Sequence, residues 1–258
     1  QGLEELAQAG ITTREACGNT VRNVTACHKA GTCSTEIFNV APYALAVSKY
    51  LLRMDLTQNL PRKFKITFGG CNGCGLAPIH DIGLKAVIKD DVRGFKVLIG
   101  GGLGSFPHAA KHLTDFIPAE NMLQMSEAMV AVFDKYGDKR NRNKARLKFV
   151  VDKLGIDKIK ELYEEEYAAL NSKTYPALDV ADTGIPEIPA YPPNNEHDSD
   201  PEFLLWKGRN IEAQKQSGFN NVQIKLILGD FDVSQAKALA TIAEKYAGGM
   251  ILCTVNQN

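Results

Sequence analysis

Between residues 11 and 170, short strand-like apolar runs alternate with longer amphipathic helical ones, and this switching of period limits the fold more than any other feature. A chain that changes period several times buries its apolar faces by layering helices on a sheet. The pattern predicts a helix over 42–54, with Pro42 in its first turn and Ala44, Leu45, Val47, Leu51 and Leu52 near helical spacing. Strands are expected over 64–68, 82–88 and 95–99, each bounded by Gly, Pro or Asp. Residues 120–136 and 142–154 read as amphipathic helices, and Asp157 as the N-cap of another running to about Leu170. The fold class expected is α/β, with an α+β mixed sheet.

Five prolines between Asn171 and His197 (Pro176, Pro186, Pro189, Pro192 and Pro193), with acidic residues following to Glu202, read as an extended, solvated linker. Beyond it, a strand over 222–228, a helix over 233–246 and a strand over 250–255 would make a βαβ unit too small to bury both faces of its sheet. Such a unit should pair with an element outside this chain. Residues 3–10 read as the last turns of a helix stopped by Gly10, and the first residue is Gln, so an excerpt from a longer protein is expected.

Composition narrows the function. With 258 residues, 44% hydrophobic and 23% charged, the chain is long enough for a real core. Lys+Arg and Asp+Glu are equal at 30 each, which argues against a nucleic-acid partner or polyelectrolyte behaviour and makes any charge-based function local. No apolar run approaches the ~20 residues of a membrane span and no leader pattern opens the chain, so a soluble, cytoplasmic protein with no membrane partner is expected.

Four of the six cysteines form two tight pairs, Cys27 with Cys33 and Cys71 with Cys74. Soft thiolates among small residues suit an iron–sulfur cluster or zinc, although small cysteines also simply pack in cores. Cys17 and Cys253 read as core residues. In L-P-R-K-F-K-I-T-F, Lys63 and Lys65 project from one face of a strand and Phe64, Ile66 and Phe68 from the other. Two like charges side by side suit an anion or, in isolation, a solvated edge; Arg62, Arg22 and the Gly69-Gly70-Cys71 that follows favour the anion. Gly100 to Gly102 and Gly104 follow a strand without GxGxxG or GK[ST] spacing, so a tight turn or backbone close to a flat ligand suits them better than a dinucleotide. The basic run from Lys139 to Lys148 reads as a solvated helix face rather than a docking patch for an acidic partner, and His28, His80, His108 and His112 as structural rather than as ligands or acid–base groups.

The blocks T-T-R-E-A-C-G-N-T-V-R-N-V-T-A-C, L-P-R-K-F-K-I, H-D-I-G-L, L-I-G-G-G-L-G and N-R-N-K-A-R-L-K-F-V-V-D-K-L-G, in this order, resemble the first half of the siroheme-dependent nitrite and sulfite reductases. G-F-N-N-V-Q-I-K-L through C-T-V-N-Q-N resembles the start of their second half. The resemblance implies a siroheme/[4Fe–4S]-type α/β domain over 1–170, a Pro-rich linker over 171–205 and a partial ferredoxin-like half-domain over 206–258. It implies siroheme and a [4Fe–4S] cluster as cofactors, nitrite or sulfite as substrate, and an electron donor such as ferredoxin. Arg22, Lys63 and Lys65 match the family cations around the siroheme carboxylates and the oxyanion, and Gly101 and Gly102 match the loop beside the cofactor. The family's functional cluster cysteines lie in its second half, so Cys27, Cys33, Cys71 and Cys74 make either a pseudo-symmetric cluster site or a relic. The missing parts of the same enzyme would then be partners of this chain, inactive alone.

Overall fold

The computed structural model describes residues 1–71, 73, 76–180 and 199–254. Their elements, in chain order, are α1 (Gly2–Gln8), β1 (Val21–Ala26), α2 (Ala41–Leu51), β2 (Phe64–Gly69), β3 (Ile82–Lys89), β4 (Val92–Ile99), β5 (Lys111–Pro118), α3 (Met122–Tyr136), α4 (Leu147–Leu154) and α5 (Ile156–Ala169). After residue 198 follow α6 (Pro201–Asn210), β6 (Ile211–Ala213), β7 (Asn220–Val222) and α7 (Val233–Tyr246). The described residues within 1–30 and 36–181 form one compact unit, and those within 31–35 and 182–258 form a second.

The first unit is built on a five-stranded sheet in the order β1-β2-β3-β4-β5. β1 and β2 run parallel, as do β2 and β3, and the remaining pairs are antiparallel. β3 turns into β4 through Asp90 and Asp91, both at positive φ (50° and 61°), the two-residue turn whose twist matches that of the flanking strands. On β2, Phe64, Ile66 and Phe68 are fully buried as the period-two pattern requires; on the other face Lys65 keeps partial exposure, as does Lys63 just before the strand, while Thr67 is buried. Phe68 meets Phe95 edge-on at 5.3 Å, and Phe64 lies 5.4 Å from Phe133 of α3. Ten residues of α3 are buried, joining α2 and the sheet in one core.

Several boundaries differ from expectation. α2 stops at Leu51 because Leu52 is already extended. The expected 142–154 helix is a 3-10 turn, Arg142–Lys144, followed by α4. α5 begins at Ile156, one residue before Asp157: Gly155, at φ 81°, makes the corner between α4 and α5 and takes the cap position, leaving Asp157 in the first turn. β1 and β5 were not foreseen as strands.

Residues 171–180 have no helix or strand and are mostly exposed, as expected of a linker, yet they are tied to the first unit. Lys173 Nζ lies 2.7 Å from Glu127 Oε1, and the hydroxyls of Tyr50 and Tyr175 donate to Glu127 Oε2. Tyr175, Leu178 and Val180 are partly buried against the core. The remainder of the expected linker, 181–198, lies outside the described residues.

In the second unit, α6 straddles the expected boundary at 205 between linker and half-domain; Asp200 caps it by accepting from the N–H groups of Glu202 and Phe203, and Pro201 sits in its first turn. α7 occupies the expected residues, with a capping box between Asp232 and Gln235. The strand expected over 222–228 is replaced by β7, paired antiparallel with β6, and a 3-10 turn, Ile227–Gly229. Residues 250–254 form no strand; without neighbouring strands to receive them, these apolar runs have no ladder to join.

Candidate functional site

The cations singled out in the sequence come together on the first unit. β1 lies beside β2 with Asn23 opposite Lys65, and the register slips between Val21 and Asn23, at Arg22. Arg22 is aimed by its own loop: Nε donates to Gly18 O at 2.9 Å, and Nη2 lies 3.8 Å from Cys17 Sγ. The Lys63 ammonium is pushed below the ordinary lysine range, first by burial and then by the charges of Arg146, Lys65, Arg22 and Arg62. Arg62 is lowered likewise by burial and by Arg142, Arg22 and Arg146. The site is thus a cluster of cations working against one another, the condition that a multiply charged anion relieves.

One acid lies among them. Asp81, fully buried, forms a salt bridge with Arg146 at 2.9 Å and also accepts the backbone N–H of Lys65 at 2.9 Å. Burial outweighs these contacts and pushes its carboxyl up to about 6. His80 is held low, chiefly by burial, with Lys65 and Arg146 adding to the effect, and its Nδ1 lies 2.9 Å from Leu76 O.

Neither Asp81 nor Arg146 was identified from sequence. Arg146 belongs to the basic run read as a solvated face, which the structure divides. Arg146 turns inward, and Lys148, 4% exposed, donates to the carbonyls of Leu103 and Phe106, while Arg142 and Lys144 stay exposed. An Asp immediately preceding an apolar strand was the available signal for Asp81.

The glycine loop has an internal reason for its composition. A Cβ on Gly101 would stand 2.3 Å from Pro78 O, and one on Gly102 would stand 3.2 Å from Arg146 Nη2 and 3.3 Å from Lys148 Cδ. The chain itself therefore fills the space that a side chain at these positions would need, whatever lies on their other side.

The cysteines are placed differently. Cys27 is buried and its N–H donates to Phe68 O, Cys71 is half-buried, and both belong to the first unit. Cys33, buried and 3.3 Å from Thr35 Oγ1, belongs to the second unit, and Cys74 lies outside the described residues. Among the described residues no three His, Cys, Asp or Glu side chains are gathered as a metal needs, and Cys74 lies outside that set. Cys17 and Cys253, expected in the core, are exposed: one lies in the loop before β1, the other in the strandless residues 250–254. The cation cluster, by contrast, fits a polycarboxylate such as siroheme.

No helix among the described residues is long and apolar enough to cross a membrane. Over 99% of its length the chain is 32% identical to an assimilatory ferredoxin-dependent nitrite reductase of Haloferax mediterranei and 30% identical to a ferredoxin–nitrite reductase of Synechococcus elongatus. It spans 43% and 47% of those proteins, under half the length of either. A ferredoxin sulfite reductase of Mycolicibacterium paratuberculosis is 32% identical over 63% of the chain and 29% of its own length. The solved structure of Mycobacterium tuberculosis NirA superimposes with a TM-score of 0.72 at 25% identity, over 94% of this chain and 40% of NirA. Residues 212–258 match the nitrite/sulfite reductase ferredoxin-like half domain. Residues 17–170, which carry the whole cationic site, match the nitrite and sulphite reductase 4Fe-4S domain, and the chain belongs to that family.

Proposed function

We propose that this chain supplies the cationic wall of a siroheme- and [4Fe–4S]-dependent reductase that converts nitrite to ammonia or sulfite to sulfide, with a ferredoxin-type electron donor. The observation that carries the reading is the gathering of cations where β1 lies beside β2, with Arg22 at the register slip opposite residues 63–65 and Arg146 held by the carboxylate that binds the Lys65 backbone, an arrangement that favours an anion among them. The relatives, named as ferredoxin-dependent nitrite and sulfite reductases, support the reaction class.

In this reading Arg22, Lys63 and Lys65 hold the siroheme carboxylates and the substrate oxyanion. Bound siroheme and cluster would supply the iron that takes the oxyanion and the path by which six electrons from the donor reach it. The chain's own work is electrostatic and protonic: the ammonium groups neutralise the anion and donate hydrogen bonds to its oxygens. A lysine held below its ordinary range also gives up a proton more readily as oxygen leaves as water. Gly101 and Gly102, backed by Pro78, Arg146 and Lys148, let the main chain of their loop come close to the flat cofactor.

The test is Lys65→Met in the complete reductase. Removing one charge-assisted hydrogen bond costs about 1.5–3 kcal/mol, a loss of roughly 10- to 150-fold in the kinetic parameter affected, with folding retained. Arg at either lysine should rescue weakly, because the charge stays while the donor moves. If Lys63→Met and Lys65→Met each keep wild-type turnover and substrate saturation at full siroheme occupancy, these lysines do not hold the oxyanion.

A further inference from the structure

Asp81 does more than neutralise a neighbour. Both of its oxygens are taken up inside the protein: Oδ2 accepts from the Lys65 backbone N–H and from Arg146 Nη2, each at 2.9 Å. Oδ1 accepts from Arg146 Nη2 at 3.0 Å and Nε at 3.2 Å. The side chain of Asp81 has no exposure and that of Arg146 only 15%. Gly102 closes the third side, since a Cβ there would crowd the guanidinium. Arg146 is therefore clamped by a two-pronged carboxylate contact, whereas an exposed arginine could swing away from the cations beside it.

We propose that Asp81 and Arg146 are positioning residues of the cationic site, the buried carboxylate fixing the Lys65 backbone and the Arg146 guanidinium together so that the field at Lys63 is set by the fold. The inference rests on the reading of Lys63 and Lys65 as anion-binding lysines. Its chemical content is preorganisation: a charge that cannot relax away keeps the site biased toward anions before one arrives, and no reorganisation follows binding. Arg146 is the largest electrostatic influence on Lys63, ahead of Lys65, Arg22 and Arg62. Arg142 bears on the neighbouring Arg62, and His80 and Lys148 each feel Arg146.

The test titrates the Lys63 amine in the 258-residue chain by pH-dependent acetylation with acetic anhydride, read by peptide mass spectrometry, with folding checked by circular dichroism. Arg146→Met should move the labelling midpoint of Lys63 upward, toward an ordinary lysine, and Arg146→Lys, which keeps a charge but loses the two-pronged contact, should move it only part of the way. Asp81→Asn weakens the clamp but also removes a negative charge, which alone would move the midpoint down, so a rise in this variant reports the release of Arg146 and a fall counts against the clamp. A purely structural brace between α4 and β3 would change stability and leave the Lys63 midpoint alone, so an identical midpoint in folded wild type and Arg146→Met overturns the proposal. If Asp81→Asn fails to fold, the two Arg146 variants decide the matter. Failure of the underlying reading looks different: the lysine variants of the complete reductase would keep full turnover while the Lys63 midpoint still followed Arg146, and the clamp would stand without the anion.

Discussion

The two units bury their residues to very different extents. In the first, β2 has Phe64, Ile66 and Phe68 wholly inside, and α3 buries ten residues. Across residues 199–254 only Ala243 is buried, while Trp206 of α6 is 44% exposed and Val233 of α7 is 71% exposed. Both regions contain apolar residues at helical spacing; they differ in whether a sheet receives them. The lesson is that periodicity specifies an element, whereas a partner surface specifies its burial. The cationic site lies wholly on the region that has its partners, where charged side chains can be held against one another.

The sharpest way to break this contrast is Phe68→Ala, which should cost about 3–5 kcal/mol in urea unfolding followed by circular dichroism, because the vacated space lies among rings that cannot collapse into it. Next comes pH. The Asp81 carboxyl sits at about 6 in the fold against 3.8 for a free side chain, so the native state holds a proton the unfolded chain has released. This group therefore favours folding most below about pH 4, and that contribution is lost as pH rises through about 6, a change of roughly 3 kcal/mol. Because Asn cannot titrate, subtracting its unfolding curve from the wild-type curve should isolate that loss, and identical pH slopes would refute it. Glu127→Gln should cost about 1–3 kcal/mol, since it removes the charge that binds Lys173 and accepts from two tyrosines, and faster amide exchange over 171–180 would report the release. The smallest effect belongs to the second unit: Trp206→Ala should stay within about 0.5 kcal/mol, and a loss like that of Phe68→Ala would erase the contrast.

Much of the first unit was readable because its elements repeat cleanly. Phe64, Ile66 and Phe68 alternate with lysines, and the apolar residues of α3 recur at helical spacing. β1 escaped because Arg22, Asn23 and Thr25 hide its apolar half, and β5 because Lys111, His112 and Asp115 interrupt it; both are edge strands, where polar residues cost little. α6 carries start signals in Asp200 and Pro201, but the prolines and acidic residues before it give that stretch the composition of a linker. In the site, Arg22, Lys63 and Lys65 were visible as charges that two-residue spacing and adjacency brought into question. Asp81 and Arg146 were not, since a pair 65 positions apart leaves no local pattern.

The order in which the chain closes on itself follows from the sheet. β3 and β4 are joined by a two-residue turn and zip from Lys89 opposite Val92, a local event on the scale of ~1–10 μs. The parallel pairing that sets Thr25 against Thr67 must close 42 residues, and the Arg146 contact with Asp81 must close 65. Loop-closure entropy places both after the hairpin, so β3, with Asp81 at its head, is the surface onto which β2 and then the remaining cations are laid. Arg62, Lys63 and Lys65 are neighbours from the start, but Arg146, the distant cation, consequently joins them only where the carboxylate that holds it is already in place.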